Sequence, residues 1–330
     1  MAAGRKPGKR LRRVRTETDR VVKHAQHLRL DAGAAARFAR DAAERLTVPP
    51  PWDRDAHPAG NDTDTAEWIF VLDSLNFSFW PDPGRTRWTV TGPEGDLRGY
   101  RALASALKRA RNEGVPLADA NVCATIDEKT LGTILRGKGE IPLLAERARI
   151  LRENGRILIE GWGGRFANLL DDCGRSAETL VDTLAEDFPA FRDVQTLDGR
   201  DVPFLKRAQI LAGDLWGAFG GQGPGAFDDL EALTAFADYR VPQILRSLGV
   251  LVYSGPLADT VDAGRPLPAG TREEIEIRAA TVQGVEAIVN ALRAKGEKAT
   301  AFATDWLLWN ESHLPLHNRK PYHLTRTIWY

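Results

Sequence analysis

Only two cysteines, Cys123 and Cys173, occur in the 330-residue chain, far apart and outside any C-x-x-C spacing. They support neither a disulfide framework nor a thiolate zinc site. Excess charge of one sign is missing as well: 45 Lys plus Arg balance 45 Asp plus Glu. A long polyanionic partner usually calls for a basic chain or face, so a stable nucleic-acid complex is not expected, while a small positive pocket remains compatible with the balance. No run approaches the apolar length of a membrane helix. The opening segment MAAGRKPGKRLRRVR is basic but lacks the apolar core of a secretory signal. It reads as a flexible tail over residues 1–15. Histidine is sparse: His24 and His27 have no further ligand nearby, and His313, His317 and His323 lack a carboxylate arrangement of metal type. Neither a metal nor a cofactor is expected. G-x-S-x-G is absent, which argues against a serine hydrolase. The expectation is a soluble, cytoplasmic, monomeric protein acting on a small molecule.

What the chain does have is helix. Amphipathic stretches recur along its length: RTETDRVVKHAQHLRL and DAGAAARFARDAAERL across residues 11–48, GYRALASALKRARNEG, DEKTLGTILRG, IPLLAERARILRENG, SAETLVDTLAEDF and VPFLKRAQILAGDLWGAF. Pro49, Pro50 and Pro51 close the first pair. Asp127 and Ser176 stand where N-caps belong, and Thr271 with Glu274 forms a capping-box pattern. Gly114 and the glycine of RENG read as helix stops. AEWIFVLDSLNFSFW starts as a buried helix and leaves it near Asn76, and TRWTV reads as a short strand. FDDLEALTAFA reads as a short helix, followed by another beginning near Asp238. The fold class is mainly α with at most a minor β element. Residues 16–330 form either one large helical unit or two subdomains with the site between them.

Nine tryptophans suit a core and equally a pocket for a flat heterocycle. Asp238, at a helix N-terminus, is the first candidate for chemistry. Backbone N–H groups and the helix dipole hold a carboxylate there, and such a carboxylate can orient water and oppose positive charge growing on a sugar. An ordinary N-cap is the alternative. Lys206 and Arg207 interrupt an apolar helix and can donate to phosphate, or snorkel from a packed surface. Arg240 can add a phosphate contact. GWGGRF allows close backbone approach between the stacking faces of Trp162 and Phe166, with Glu160 directly before it. NFSFW offers Phe77 and Trp80 beside the amide of Asn76, and alternation should divide its aromatics between core and pocket. Asp305 sits among large apolar residues next to Trp306 in TDWLLW, either as a partnered buried carboxylate or as a cap.

NFSFW, GWGGRF, FLKRAQILAGDLW, FADYRVPQILRSLGVLVYS, REEIEIRAATVQGVEAI, TDWLLW and HLTRTIWY, in this order, resemble the queuosine salvage protein family. The resemblance runs from about residue 70 to the C-terminus. It implies a helical fold similar to helix-hairpin-helix DNA glycosylases, with GQGPGAF near the hairpin and ADYRVPQ near the helix bearing an essential aspartate. It implies hydrolysis of the N-glycosidic bond of queuosine 5'-phosphate to queuine and ribose 5-phosphate. Asp238 would then be the catalytic carboxylate and Lys206 the basic active-site residue. Asn76, Phe77, Trp80, Glu160, Trp162, Phe166, Arg207, Tyr239, Arg240, Asp305 and Trp306 are the candidate substrate contacts. Two other readings stand beside it: a non-catalytic tRNA-binding protein using the basic opening segment, and a repair-type DNA glycosylase that flips a base from duplex.

Overall fold

Short polar side chains start many of the helices by accepting a backbone N–H of the first turn: Asp31, Asp119, Asp127, Ser176, Thr271 and Thr300 all do so. The computed structural model describes residues 9–46, 51–58, 63–82, 84–93, 95–314 and 319–330. In chain order the elements are α1 (Arg10–Lys23), β1 (Leu28–Leu30), α2 (Ala32–Asp41), α3 (Ala43–Leu46) and α4 (Thr63–Ser74). Then come β2 (Val90–Gly92), β3 (Gly95–Leu97), α5 (Gly99–Asn112), α6 (Ala120–Thr125), α7 (Glu128–Ile134) and α8 (Leu144–Trp162). Next are α9 (Phe166–Cys173), α10 (Ala177–Asp187), β4 (Val194–Leu197), β5 (Arg200–Pro203), α11 (Lys206–Phe219) and α12 (Arg240–Ser247). The chain finishes with β6 (Leu251–Tyr253), α13 (Gly255–Asp262), α14 (Arg272–Arg293) and α15 (Ala301–Glu311). The fold is mainly α. Three antiparallel two-stranded ladders, β1–β6, β2–β3 and β4–β5, are the minor β element among the described residues.

Two large apolar clusters fill the interior. One gathers α4, α5 and α8–α11; the other gathers α2, α12 and much of α14. Helix α14 serves both, with Ile275, Ala279 and Val282 on the first and Ile277, Ala280 and Val285 on the second. Helix α15 does the same through Phe302 and Leu308. Opposite faces of these helices are apolar, as expected for helices covered all round.

Several expectations are corrected. Of the expected basic tail, residues 1–8 lie outside the described residues, and the chain is helical from Arg10. Leu11 and Val14 are buried, and Arg15 donates to the carbonyls of Ala232 and Leu233 and pairs with Glu286. Pro49 and Pro50 also lie outside the described residues. The continuous helical reading of 11–48 is interrupted by β1, because the Gln26 and His27 N–H groups bind the buried Glu276 carboxylate and Leu28–Leu30 then pair with Leu251–Tyr253. FDDLEALTAFA is not an α-helix. Only a 3₁₀ turn forms at Leu230–Ala232, after which the Thr234 and Phe236 N–H groups donate to the side chains of Gln209 and Asp305. Residues 220–239 are therefore a long connection between α11 and α12 rather than a tight hairpin. The segment 202–219 becomes helical only at Lys206, after Leu205 turns through φ +53° and the Asp193 carboxylate accepts the Lys206 N–H.

Gly155 does not stop a helix; it lies inside α8, which runs on to Trp162. A β-carbon there would sit 2.5 Å from the Ala124 nitrogen and 2.6 Å from the Ala120 carbonyl oxygen, so the glycine lets α6 lie against α8. Gly155→Ala should lower stability by about 1–3 kcal/mol, since backbone must move to admit the methyl group. Chemical denaturation reads this as a fall in midpoint with the slope unchanged.

Candidate active site

Lys206, Ile210 and Asp214 recur every four residues along α11, so they share one stripe of that helix. That stripe faces a cavity of about 300 Å³. Asn76, just after α4, closes one side; Asp238 and Tyr239 lead into α12; Asp305, Trp306 and Trp309 project from α15. The volume suits a single small ligand.

Asp238 accepts the N–H groups of Arg240 and Val241, both at 2.8 Å, at the N-terminus of α12. Burial pushes its carboxyl up, against the nearby Lys206 ammonium and these two backbone donors. Lys206 is itself 4% exposed and donates to the Asn76 carbonyl oxygen at 3.3 Å; burial lowers its pKa, against Asp238 and Asp73. Asp305 lies in the interior of α15, because Thr300 is the cap, and it accepts the Phe236 N–H at 2.9 Å. Burial, then the Asp238 charge, pushes it well above the usual carboxylate range.

Two acids not expected from the sequence complete the buried group. Burial raises Asp214 to about 7, while the Tyr100 hydroxyl, bonded at 2.7 Å, and Lys206 act to lower it. Asp73, at the end of α4, is pushed well above the usual range by burial and then by Asp214. Lys206 lies within electrostatic reach of all four carboxyls. Arg207 acts on Asp73 and Arg240 on Asp238 as well, but the four buried carboxyls still outnumber the cations beside them, which favours a neutral form within the group.

An aromatic wall also escaped the sequence reading. Trp52 packs edge-on to Trp306, with centroids 6.0 Å apart, and against His57 at 4.0 Å. Phe302 and Trp309 continue the wall. Gly217 makes room for it, since a β-carbon there would meet Trp306 and Trp52 at 2.6 and 2.7 Å. At the mouth Arg87, Arg101, Arg240 and Arg319 line the cavity with His313. The Arg319 Nε and Nη2 atoms are buried without a hydrogen-bond partner among the described residues.

Of the candidates from sequence, Asn76, Lys206, Asp238, Tyr239, Arg240, Asp305 and Trp306 meet at this cavity. The others lie elsewhere. Phe77 packs with Ile150 and Ala190 under the Arg147 guanidinium, and Phe166 stacks on Phe70 in the core. Trp80 is covered by Arg326, 3.9 Å above its ring. Arg207 is spent on the carbonyls of Ser74 and Ala190. Glu160 is exposed on α8, and Trp162 packs half-buried against the core. In NFSFW it is Phe79, not Phe77 or Trp80, that lines the cavity. Strand alternation fails because Ser78 takes φ +41°. Among the described residues no three His, Cys, Asp or Glu side chains could hold a metal; His317 lies outside them. No helix of the described residues is long and apolar enough to cross a membrane.

Residues 56–330 match the family described as Queuosine salvage protein. The chain is 49% identical over 324 residues to a queuosine 5'-phosphate N-glycosylase/hydrolase of Sphaerobacter thermophilus, covering 98% of this chain and 99% of that protein. Proteins of the same description from Bos taurus and Mus musculus are 36% and 37% identical, over 94% of this chain and 96% and 92% of theirs.

Proposed function

Because the chain belongs to the queuosine salvage protein family, we infer that it hydrolyses the N-glycosidic bond of queuosine 5'-phosphate, releasing queuine and ribose 5-phosphate. The observation that carries the mechanism is Asp238, a buried carboxylate fixed by two backbone donors beside Lys206 in the cavity. As the C1'–N9 bond stretches, the sugar gains oxocarbenium character. A charge already in place, needing no reorganisation, stabilises that transition state, and the same carboxylate orients and deprotonates the attacking water. Trp306, Trp52 and Tyr239 supply flat faces for the deazaguanine ring. Asp305 receives the amine of the cyclopentenediol arm, which adds the positive charge the buried acids lack. Lys206 keeps Asp238 ionised and donates to a ribose oxygen.

The 5'-phosphate is assigned to the mouth rather than to Lys206. A dianion beside four acids would be repelled, whereas Arg240 and Arg319 are half-buried cations that line the same cavity, and two Arg319 donors have no hydrogen-bond partner among the described residues. Binding there can support orientation of the sugar at a distance from the reacting carbon. The reading keeps the substrate a free nucleotide, the enzyme a cytoplasmic monomer, and a stable nucleic-acid complex outside its role.

Mass-resolved turnover of queuosine 5'-phosphate, with GMP as control, tests this. Queuine and ribose 5-phosphate are expected from the first and no guanine from the second; a folded protein that yields neither product ends the glycosidase reading. Arg319→Gln should raise KM for the phosphorylated substrate roughly 10- to 100-fold, as one charge-assisted contact of about 1.5–3 kcal/mol is lost. Hydrolysis of unphosphorylated queuosine should change little. Equal effects on both would remove the phosphate from this rim.

A further inference from the structure

Breaking an N-glycosidic bond needs a proton for the departing base as well as a carboxylate for the sugar. Asp238 answers only the second need. Resting on the glycosidase reading, we propose that Asp214 is the acid that protonates the leaving base, and that Tyr100 and His57 position it. All three residues line the cavity.

The assignment follows from hydrogen-bond accounting. His57 Nδ1 lies 2.5 Å from the Asp53 carbonyl oxygen, which can only accept, so Nδ1 carries hydrogen. His57 Nε2 lies 2.8 Å from the Tyr100 oxygen, and that hydroxyl lies 2.7 Å from Asp214 Oδ2. Tyr100 has one hydrogen for two neighbours. Both contacts are satisfied only when one extra proton is present, either on His57, which then donates to Tyr100, or on Asp214, which then donates to Tyr100 while Tyr100 donates to His57. Burial holds His57 down to about 4 and raises Asp214 to about 7. The proton therefore resides on Asp214, at the end of the relay beside Lys206. This arrangement keeps a neutral carboxylic acid ready at neutral pH.

In the reaction the C1'–N9 electron pair passes to the base, and the Asp214 proton passes to N3. N3 is the acceptor beside the breaking bond, because position 7 of this base is carbon. The oxygen of water bonds to C1', and its proton passes to Asp238. Asp214 ends ionised and Asp238 protonated, and exchange with solvent restores both. Tyr100 and His57 are positioning residues. The groups bearing on Asp214 are Tyr100 from α5, His57 from residues 51–58, Asp73 from α4 and Lys206 from α11, with Asp238 and Asp305 on other walls of the cavity. Lys108 and Asp53 act on His57.

The test compares queuosine 5'-phosphate with 4-nitrophenyl riboside 5'-phosphate, whose leaving group departs without protonation, in wild type, Asp214→Asn and Tyr100→Phe. Wild type should lose kcat for queuosine 5'-phosphate about tenfold per pH unit above roughly 7, as Asp214 ionises. Asp214→Asn should cost about 10²–10⁴-fold with queuosine 5'-phosphate, remove that alkaline limb, and leave the nitrophenyl substrate within a few-fold of wild type. Tyr100→Phe takes away a hydrogen bond that favours the ionised carboxylate, so its limb should move to higher pH. Equal losses on both substrates in Asp214→Asn, or an alkaline limb unmoved by either substitution, would overturn the assignment. Wild type inactive on both substrates would instead sink the glycosidase reading, and this assignment with it.

Discussion

Asp238→Asn is expected to lower kcat for queuosine 5'-phosphate by roughly four orders of magnitude while leaving the protein folded. Two losses combine: a general base, typically about 10²–10⁴-fold, and a fixed charge opposing the developing oxocarbenium, of about 10²–10³-fold. The fold should tolerate the change. What α12 requires at this position is an oxygen that accepts the Arg240 and Val241 N–H groups. Asparagine supplies one, and as a cap it differs from aspartate by well under about 1 kcal/mol. KM should move far less than kcat, since the charge acts mainly in the transition state. A nitrophenyl leaving group should not rescue this variant, because the defect lies on the sugar side of the bond. Single-turnover rates with a matched denaturation curve decide the matter. An Asn variant with near-wild-type turnover would leave Asp238 as a helix cap and nothing more.

Local chemistry made much of the helical scaffold legible in the sequence. Asp127, Ser176 and Thr271 cap where their neighbours in sequence say they should, since capping depends on three or four consecutive residues. The ordered motifs from NFSFW to HLTRTIWY pointed to the family that the chain matches. Features decided across the chain were not legible. β1 needs residues 251–253, and the extended form of 233–236 depends on Gln209 and Asp305 taking its N–H groups. The aromatic motifs misdirected for a related reason. Phe166 and Phe77 carry the same apolar surface as Phe79, and only the backbone reversal at Ser78 and the packing around Phe70 and Ile150 decide which face the cavity. Asp214 was within reach: an acid in the apolar run ILAGDLW, two turns from Lys206, shares its stripe. His57 and Tyr100 carried no such signal, because their meaning lies in a relay assembled from three distant segments.

Arg278→Ala should be the most destabilising single change among those considered, costing about 3–5 kcal/mol and lowering Tm by on the order of 10 °C. Arg278 is fully buried and holds both oxygens of Asp193, at 2.9 and 2.6 Å, while its Nε donates to the Ala237 carbonyl oxygen at 3.1 Å. Its guanidinium also lies 4.0 Å above Phe204 and 4.5 Å above Tyr330. Alanine would strand the Asp193 charge in the interior and leave a cavity beside two rings. The same pair connects the two candidate catalytic residues. Asp193 accepts the Lys206 N–H at the start of α11, and Ala237 directly precedes Asp238. Stability and activity can therefore be separated. Converting the pair to Arg278→Met with Asp193→Leu removes both charges together, and replacing a buried ion pair by apolar residues is often close to neutral. Much of the lost Tm should return in that double variant. Turnover should not, because the Lys206 N–H and the Ala237 carbonyl would still lack the partners that fix them. Recovery of kcat along with Tm would mean that the pair serves the fold alone and that α11 and α12 hold Lys206 and Asp238 in register without it.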